Sequence, residues 1–223
     1  MKKFIVILLA IASLPVVAQK RTYSTTGGEL IFSFANPTIN GQTASNTVRF
    51  SPFFNIQTMV HHDLSDHFGI ITGFSLRNVG FIFDDPASPG TYYKTRNYTV
   101  GLPIGLKAGN FDGRFIYAGY EIEFPFNYKQ KKFVNDEKVD KFDEWFSRRV
   151  PTFYHTLFVG VGLVEGTQLK FKYYLTNWFN KSYTDGAGNQ PYANFDANVF
   201  YISLSFQILR GSRFYYKDKS SGL

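Results

Sequence analysis

The clearest pattern in the chain is the alternation of apolar and polar residues between Asn198 and Ile208. The apolar parity comprises Phe200, Ile202, Leu204, Phe206 and Ile208, and the other parity comprises Tyr201, Ser203, Ser205 and Gln207. Successive side chains of a strand point to opposite faces, so the segment predicts a strand with one apolar face. A soluble sheet buries such a face against a second layer, whereas a membrane barrel exposes it to lipid.

Seven further segments alternate in the same way, so that eight strands are predicted in total. The approximate bounds of the eight strands are Glu29 to Phe34, Thr47 to His62, His67 to Phe83, Tyr92 to Ala108, Arg114 to Tyr128, Pro151 to Val164, Gln168 to Phe179, and Ala193 to Leu209. One parity of each segment is apolar, and the opposite parity carries polar residues and glycines. Ile71 and Phe158 break this rule because they are apolar residues on the polar parity.

The connectors between these strands alternate in length. The short ones lie at Asp63 to Asp66, Asn110 to Gly113 and Glu165 to Thr167, and each carries residues typical of tight hairpins. The others are longer, roughly Ala35 to Asn46, Asp84 to Thr91, Lys129 to Arg149 and Asn180 to Asn194. Short turns at one end and long loops at the other are typical of bacterial outer-membrane barrels, and a soluble sandwich has no reason to sort its loops in this way.

The N-terminus has the organisation of a secretory signal peptide. Lys2 and Lys3 precede an apolar stretch from Phe4 to Leu14, and small residues around Ala18 form a cleavage site. We expect residues 1–18 to be removed, residues 19–28 to form a periplasmic segment, residues 29–209 to form the barrel, and residues 210–223 to form a periplasmic tail. The short turns are then periplasmic and the long loops extracellular, which predicts a protein of the outer membrane.

The composition agrees with a barrel whose outer surface contacts lipid. Aromatic residues make up 19% of the chain, as expected for girdles at both membrane interfaces. The absence of cysteine excludes disulfides and thiolate metal sites. Removal of Lys2 and Lys3 with the signal peptide lowers the net charge from +7 to +5, since 22 basic and 17 acidic residues remain. This modest excess favours anionic envelope lipids, including lipopolysaccharide, over nucleic acid as partners, because no basic run is interleaved with stacking aromatics. No cofactor is expected.

Charged residues on the polar parity are expected to meet inside the barrel. They are Glu29, Arg49, Arg77, Lys107, Glu121, Glu123, Lys170 and Lys172. Buried charges must be paired, and an eight-stranded barrel is narrow enough for side chains to fill it. We therefore predict an ion-pair network that plugs the lumen. The alternative is a gated or proton-conducting path through rearranging pairs.

The fifth connector is the most distinctive loop. Val139, Phe142 and Phe146 recur at helical spacing, and Asn135 or Asp136 could cap a helix, so a short amphipathic helix is predicted on the outer surface. It either lids the barrel mouth or docks a protein or lipopolysaccharide. The side chains expected to form this interaction surface are Phe142, Trp145, Phe146, Arg148 and Arg149.

The candidate residues for metal binding and catalysis are few. His61, His62 and His67 cluster near the first short turn, but His61 and His62 are adjacent and must point to opposite faces, so no metal site is predicted. His155 has Leu157 rather than serine two residues on, and no GxSxG motif occurs. We therefore expect no enzymatic activity.

With these features in place, the chain resembles the outer membrane protein beta-barrel domain group typical of Bacteroidota, which includes PorT-like proteins; OmpX- and OmpA-type barrels are similar in architecture. The resemblance rests on the region around Ala18 and on strands such as those at Tyr98 to Gly109 and Phe158 to Leu163. It implies a barrel, and it raises the alternative of an accessory role in secretion across the outer membrane. It also implies recognition of the last strand by the insertion machinery, with Phe206 or Phe214 as the aromatic signal.

The sequence therefore predicts an all-β protein, an eight-stranded antiparallel transmembrane β-barrel. Its expected role is structural or interaction-based, through the extracellular loops. A narrow channel, an accessory subunit of a secretion complex and, less favoured, a lipid-modifying enzyme are the alternatives.

Overall fold

The computed structural model describes residues 21–111, 113–163, 166–210 and 214–215. The predicted signal peptide lies outside these residues, as does most of the predicted C-terminal tail. The strands are β1 (Arg21–Ala35), β2 (Thr38–Ile39), β3 (Gln42–Thr43), β4 (Asn46–Thr47), β5 (Arg49–Ser51), β6 (Ile56–Asp63), β7 (Phe68–Asp84), β8 (Thr91–Gly109), β9 (Phe115–Val134), β10 (Glu137–Trp145), β11 (Tyr154–Gly162), β12 (Thr167–Tyr174), β13 (Phe195–Asp196), β14 (Val199–Arg210) and β15 (Phe214–Tyr215).

Eight of these strands form a closed antiparallel ring, and the prediction of an eight-stranded antiparallel transmembrane barrel is confirmed. The order around the wall is β1, β6, β7, β8, β9, β11, β12 and β14, and β14 pairs again with β1 from Ala35↔Val199 to Thr25↔Arg210. Closure removes the free sheet edges that a bilayer does not tolerate. The barrel begins earlier than expected, because β1 starts at Arg21 rather than at Glu29.

The second wall strand is interrupted rather than continuous. The predicted segment from Thr47 to His62 divides into β4, β5 and β6, with β4 on β7, β5 on β1 and β6 between β1 and β7. Side chains cross the gap between β5 and β7: the Asn55 carboxamide oxygen accepts the backbone N–H of Asn78 at 2.8 Å. The lost ladder bonds are thus partly replaced by side-chain bonds.

The wall is tallest on the side formed by β8 and β9. These strands have 19 and 20 residues, whereas about 9–11 residues cross a bilayer. Beyond the membrane they continue with β10 into a three-stranded extension at the long-loop end. The opposite end holds the short turns.

The predicted helix between Lys129 and Arg149 is wrong, since the segment forms the hairpin of β9 and β10. Asn135 and Asp136 both have positive φ, 48° and 66°, as a two-residue type I′ turn requires. Both residue types tolerate this conformation, and the turn therefore returns the chain as a strand. Val139 lies at a register shift in β10, which is why its spacing from Phe142 imitated a helical period.

The alternation predicted from the sequence separates the two faces of the wall. Apolar side chains exposed on the outside include Phe74, Leu102, Ile104, Leu157, Phe171, Ile202 and Phe206. Ile71 and Phe158, the two exceptions to the pattern, are buried with Met59 and Tyr117 in an apolar cluster inside the barrel. Among the described residues, no helix is long and apolar enough to cross a membrane.

Candidate functional site

The interior of the barrel contains a network of three carboxylates and three cations at one level of the lumen. Arg77 is its centre: Nε lies 3.0 Å from Glu29 Oε2, and Nη1 contacts Glu121 and lies 3.4 Å from Glu123 Oε1. Lys172 pairs with both Glu121 and Glu123, and Lys170 lies 2.7 Å from Glu29 Oε1. All six side chains are at most 4% exposed. The formal charges cancel within the network.

Neutral groups satisfy the remaining hydrogen-bonding capacity of the network. The Tyr174 hydroxyl donates to Glu123 Oε2 at 2.7 Å, and Gln57 Oε1 accepts from Lys170 at 3.1 Å. Gly101 makes room for the carboxylate of Glu121, because a Cβ at that position would overlap Oε1. Pairing and hydrogen bonding offset the cost of desolvating the charges. Removal of one member of the network would therefore leave a buried charge without its partner.

An aromatic cap closes the lumen on the long-loop side of this network. Trp178 and Phe179, from the connector after β12, are fully buried. Trp178 Nε1 donates to Thr95 Oγ1 at 3.0 Å, and the backbone oxygen of Trp178 accepts the Tyr154 hydroxyl at 2.7 Å. Phe179 stacks on Tyr192 with 4.4 Å between ring centroids. The seventh predicted strand consequently ends at Tyr174 rather than at Phe179, since the chain turns inward to form the cap.

On the other side of the network lies the apolar cluster of Met59, Ile71, Tyr117 and Phe158. Gly160 leaves space for the ring of Tyr117. Below the cluster, at the short-turn end, a polar cavity of about 330 Å³ is lined by Tyr23, Thr25, His61, Phe111, Gly113, Phe115, Leu163, Gly166, Thr167, Gln168 and Gln207. Side chains therefore fill the lumen above this cavity in three successive layers, and the void between the apolar cluster and the network measures about 10 Å³.

Two of the predicted lumen charges lie outside the network. Lys107 Nζ lies 2.5 Å from Asp63 Oδ1 and 3.0 Å from the Tyr23 hydroxyl, near the short turns. Asp63 was not predicted as a lumen charge, because an aspartate is expected in a short turn. It lies two residues after His61, however, so both side chains face the lumen. Arg49 was predicted to join the ion pairs of the lumen. Instead, its guanidinium donates hydrogen bonds to Asn78, with Nη2 2.8 Å from Oδ1, and bridges the seam between β5 and β7.

The five residues predicted to form a loop surface are divided between two faces of the hairpin. Phe142 lies on the inner face beside Tyr128, and the Arg149 guanidinium lies over its ring at 4.4 Å. Trp145 and Phe146 face outward, 66% and 65% exposed, and contact the rings of Phe126 and Phe124. Arg148 is exposed. A single docking surface of all five residues is therefore not formed.

The outward rings form a girdle at the long-loop edge of the apolar band. Trp145 stacks on Phe126 at 5.7 Å, and Tyr98 meets Phe54 edge to face at 5.9 Å. Above Trp145, Asp143 accepts hydrogen bonds from Lys129 and Asn127, and these bonds lower the pKa of its carboxyl. Aromatic rings at this level mark the membrane interface of barrels, with polar residues beyond it.

The histidines occupy separate environments. His61 is buried, stacks on Tyr23 at 4.7 Å and hydrogen-bonds Thr25, whereas His62 bonds Thr22 on the other face, as the alternation predicts. His155 is exposed on the outside and hydrogen-bonds Tyr120, and no carboxylate among the described residues pairs with it. The described ranges contain no group of three metal-binding side chains.

No protein-family model matches the chain, and no curated protein matches it. Among solved structures, the chain is similar to Ail, the attachment invasion locus protein of Yersinia pestis, in complex with the heparin analogue sucrose octasulfate: 10% identity over 88% of this chain and 99% of Ail, with a TM-score of 0.41. OprG from Pseudomonas aeruginosa gives 9% identity, 89% and 97% coverage and a TM-score of 0.40. Neisserial surface protein A is 9% identical over 84% of this chain and 97% of its own chain, with a TM-score of 0.39. These neighbours are small outer-membrane β-barrel proteins.

Proposed function

We propose that the protein is a non-conducting, non-enzymatic barrel of the outer membrane that acts by binding partners at its long-loop end. The observation that carries this proposal is the occlusion of the lumen by the aromatic cap, the charged network and the apolar cluster. Because side chains fill the interior above the short-turn cavity, the surfaces left for partners outside the cell are the outer wall and the loop end. The apolar outer band and the predicted export signal support the location.

Planar-bilayer recording tests the sealed lumen directly. The wild-type barrel is expected to give no steady conductance at moderate voltage and salt, because buried side chains fill the three layers of the described lumen. Steady channels of uniform size would overturn the proposal and favour the narrow-channel alternative. Glu121→Gln then serves as the diagnostic variant: conductance that disappears in it would identify the charged network as the path.

The binding role is tested by altering the last long loop while its anchors are kept. Residues 184–190 lie between Tyr183 and Tyr192, whose rings pack together and hold the loop in the aromatic cap. Replacement of residues 184–190 by a short glycine-serine linker is expected to reduce surface adhesion of cells that display the barrel and its cross-linking to envelope partners. The matched control is Arg114→Gln at the short-turn end, which should change neither readout. Equal adhesion and cross-linking in all three proteins would contradict the loop-end role.

The remaining alternatives predict different phenotypes. An accessory role in a secretion complex, as in PorT-like proteins, predicts that deletion of the protein blocks export of cargo. A lipid-modifying activity predicts altered lipid A, whereas our proposal expects identical lipid A mass spectra with and without the protein. No carboxylate in the described part of the chain orients the Tyr120–His155 pair, which disfavours acyl transfer by a histidine-activated nucleophile.

A further inference from the structure

The outward face of the three-stranded extension carries side chains in register across β8, β9 and β10. The lowest row is Tyr98, Asn127 and Trp145; the next is Arg96, Lys129 and Asp143; and the third is Lys94, Lys131 and Lys141. Each row consists of directly paired residues, so three lysines stand side by side. We call the five cations of the upper two rows the basic ladder: Lys94, Arg96, Lys129, Lys131 and Lys141.

The basic ladder is not neutralised by its own neighbours. Asp143 pairs with Lys129 at 2.8 Å, but within the described part of the chain no carboxylate forms an ion pair with Lys94, Lys131 or Lys141. Like charges directly opposite each other on a sheet are destabilising. The pKa of Lys131 is lowered by partial desolvation and by Arg96, Lys138, Lys141 and Lys94 around it. Lys94 Nζ lies 4.8 Å from the ring centroid of Phe133, a cation–π contact, but the repulsion within the row is relieved further when an anion lies against it.

The position of the basic ladder identifies the source of the anion. The row of Tyr98 and Trp145 belongs to the aromatic girdle, which lies at the edge of the hydrocarbon. Two residues along a tilted strand rise about 5 Å from the membrane, so the two basic rows lie about 5 and 10 Å above the girdle. The headgroup layer of one leaflet is about 5–8 Å thick. Phosphates attached to outer-leaflet lipids therefore lie at the level of the lower basic row, and the backbone of the upper row lies about 2–5 Å beyond them, within reach of flexible lysine side chains.

We infer that the basic ladder is a binding site for the phosphorylated headgroup of an outer-leaflet glycolipid, whose acyl chains lie against the apolar wall below. The compact ammonium groups of Lys94, Lys131 and Lys141 would contact the phosphates as point charges, and Arg96 can bind a phosphate oxygen pair. Tyr98 lies beneath, within 5.4 Å of the Arg96 guanidinium and 5.5 Å of Lys129 Nζ. This inference rests on the proposed membrane location but not on a partner at the loop end.

The test compares lipids that differ only in phosphate. The wild-type barrel in neutral detergent is titrated with diphosphorylated lipid A and with the dephosphorylated lipid, and binding is followed by native mass spectrometry. We expect at least tenfold tighter binding of the phosphorylated lipid, with an affinity that falls as salt rises. Equal affinity for the two lipids would overturn the inference.

The residues are tested with two triple variants of equal charge change. Lys94→Gln/Lys131→Gln/Lys141→Gln should weaken binding of the phosphorylated lipid about tenfold, without lowering the urea midpoint in neutral lipid, because a repulsive row is removed. The control is Arg114→Gln/Lys132→Gln/Lys181→Gln, which leaves the ladder intact, since Lys132 lies on the opposite face of the hairpin. Similar losses in both variants would show that only net charge matters and would overturn the site.

A soluble competitor distinguishes lipid from free polyanion. The phosphorylated disaccharide without acyl chains is expected to bind the wild type at least tenfold more weakly, because the contact with the apolar wall is missing. A soluble sulfated glycan that binds as tightly as the lipid would assign the ladder to a soluble polyanion and contradict a lipid site. Neither result depends on adhesion or conductance, so failure here leaves the proposed function intact, and the reverse also holds.

Discussion

At the scale of single residues, burial decides what a charge contributes. Arg77 and Lys94 both carry one positive charge on the barrel wall, yet Arg77 faces the lumen among three carboxylates and Lys94 faces outward. Inside, each charge depends on its partners because water cannot replace them. Outside, water and salt screen the charge, and its value depends on what binds there.

Arg77 gives the sharpest test of this difference. Arg77→Leu leaves three buried carboxylates against two lysines, and we expect a loss of about 3–5 kcal/mol in the free energy of unfolding, the range observed when one partner of a buried pair is removed. Urea titration in lipid vesicles measures it. Arg77→Leu/Glu121→Gln should recover part of the loss, because charge balance returns, whereas Lys94→Gln should change stability by less than about 0.5 kcal/mol. A loss below about 1 kcal/mol in Arg77→Leu would contradict the network.

Leu204 tests the lipid face in the same way. It pairs with Leu30 and Leu169 near the middle of the wall, on the parity that faces outward. Leu204→Arg is expected to cost about 2–4 kcal/mol, whereas Ile208→Arg, nearer the short-turn end of the same strand and face, should cost about 0–1 kcal/mol because arginine near the interface remains solvated. Both values come from urea unfolding in bilayers. Equal costs at the two positions would mean that the outer band does not lie in hydrocarbon.

At the scale of the element, the hairpin of β9 and β10 shows where sequence patterns become ambiguous. Val139, Phe142 and Phe146 fit a helical period, but the same residues fit a bulged strand because one residue is inserted at Val139. The decisive local signal is the pair Asn135 and Asp136, whose side chains favour either a helix cap or a left-handed turn. Pairing with β9 along the length of β10 decides between these, and such tertiary pairing is not encoded locally.

The turn itself can be tested. Asn135→Val places a β-branched residue at positive φ and is expected to cost the hairpin about 1–2 kcal/mol. Hydrogen exchange should then accelerate at the amides of β10 while the barrel amides of β11 and β12 stay protected. Asp136→Gly is the matched control, since glycine adopts the same conformation without strain. Unchanged exchange in Asn135→Val would show that the hairpin does not depend on this turn.

At the scale of the whole molecule, alternation predicted the wall well, and the filling of the lumen only in part. The apolar parity of strands such as Tyr98 to Gly109 is dictated by lipid on one side, so it is visible in the sequence. The start of β1 was missed because Arg21–Gly28 has no apolar parity. Glu29, Arg77, Glu121, Glu123, Lys170 and Lys172 followed from parity alone. The inward turn of Trp178 and Phe179 did not, because it depends on the shape of the mouth that the other loops leave.

The layered interior predicts that no single layer is needed to keep the lumen closed. Trp178→Ala/Phe179→Ala removes two large rings of the aromatic cap, but the charged network and the apolar cluster lie below it. We therefore expect bilayer recordings of this variant to remain without steady conductance, while unfolding becomes easier by several kcal/mol, since each buried aromatic truncation costs about 3–5 kcal/mol. Adding Arg77→Ala and Phe158→Ala, provided that the heat-modifiable gel shift of a folded barrel persists, should open ion-conducting events. Steady conductance in the Trp178→Ala/Phe179→Ala variant would show that the lower layers are permeable to ions and that the aromatic cap closes the lumen.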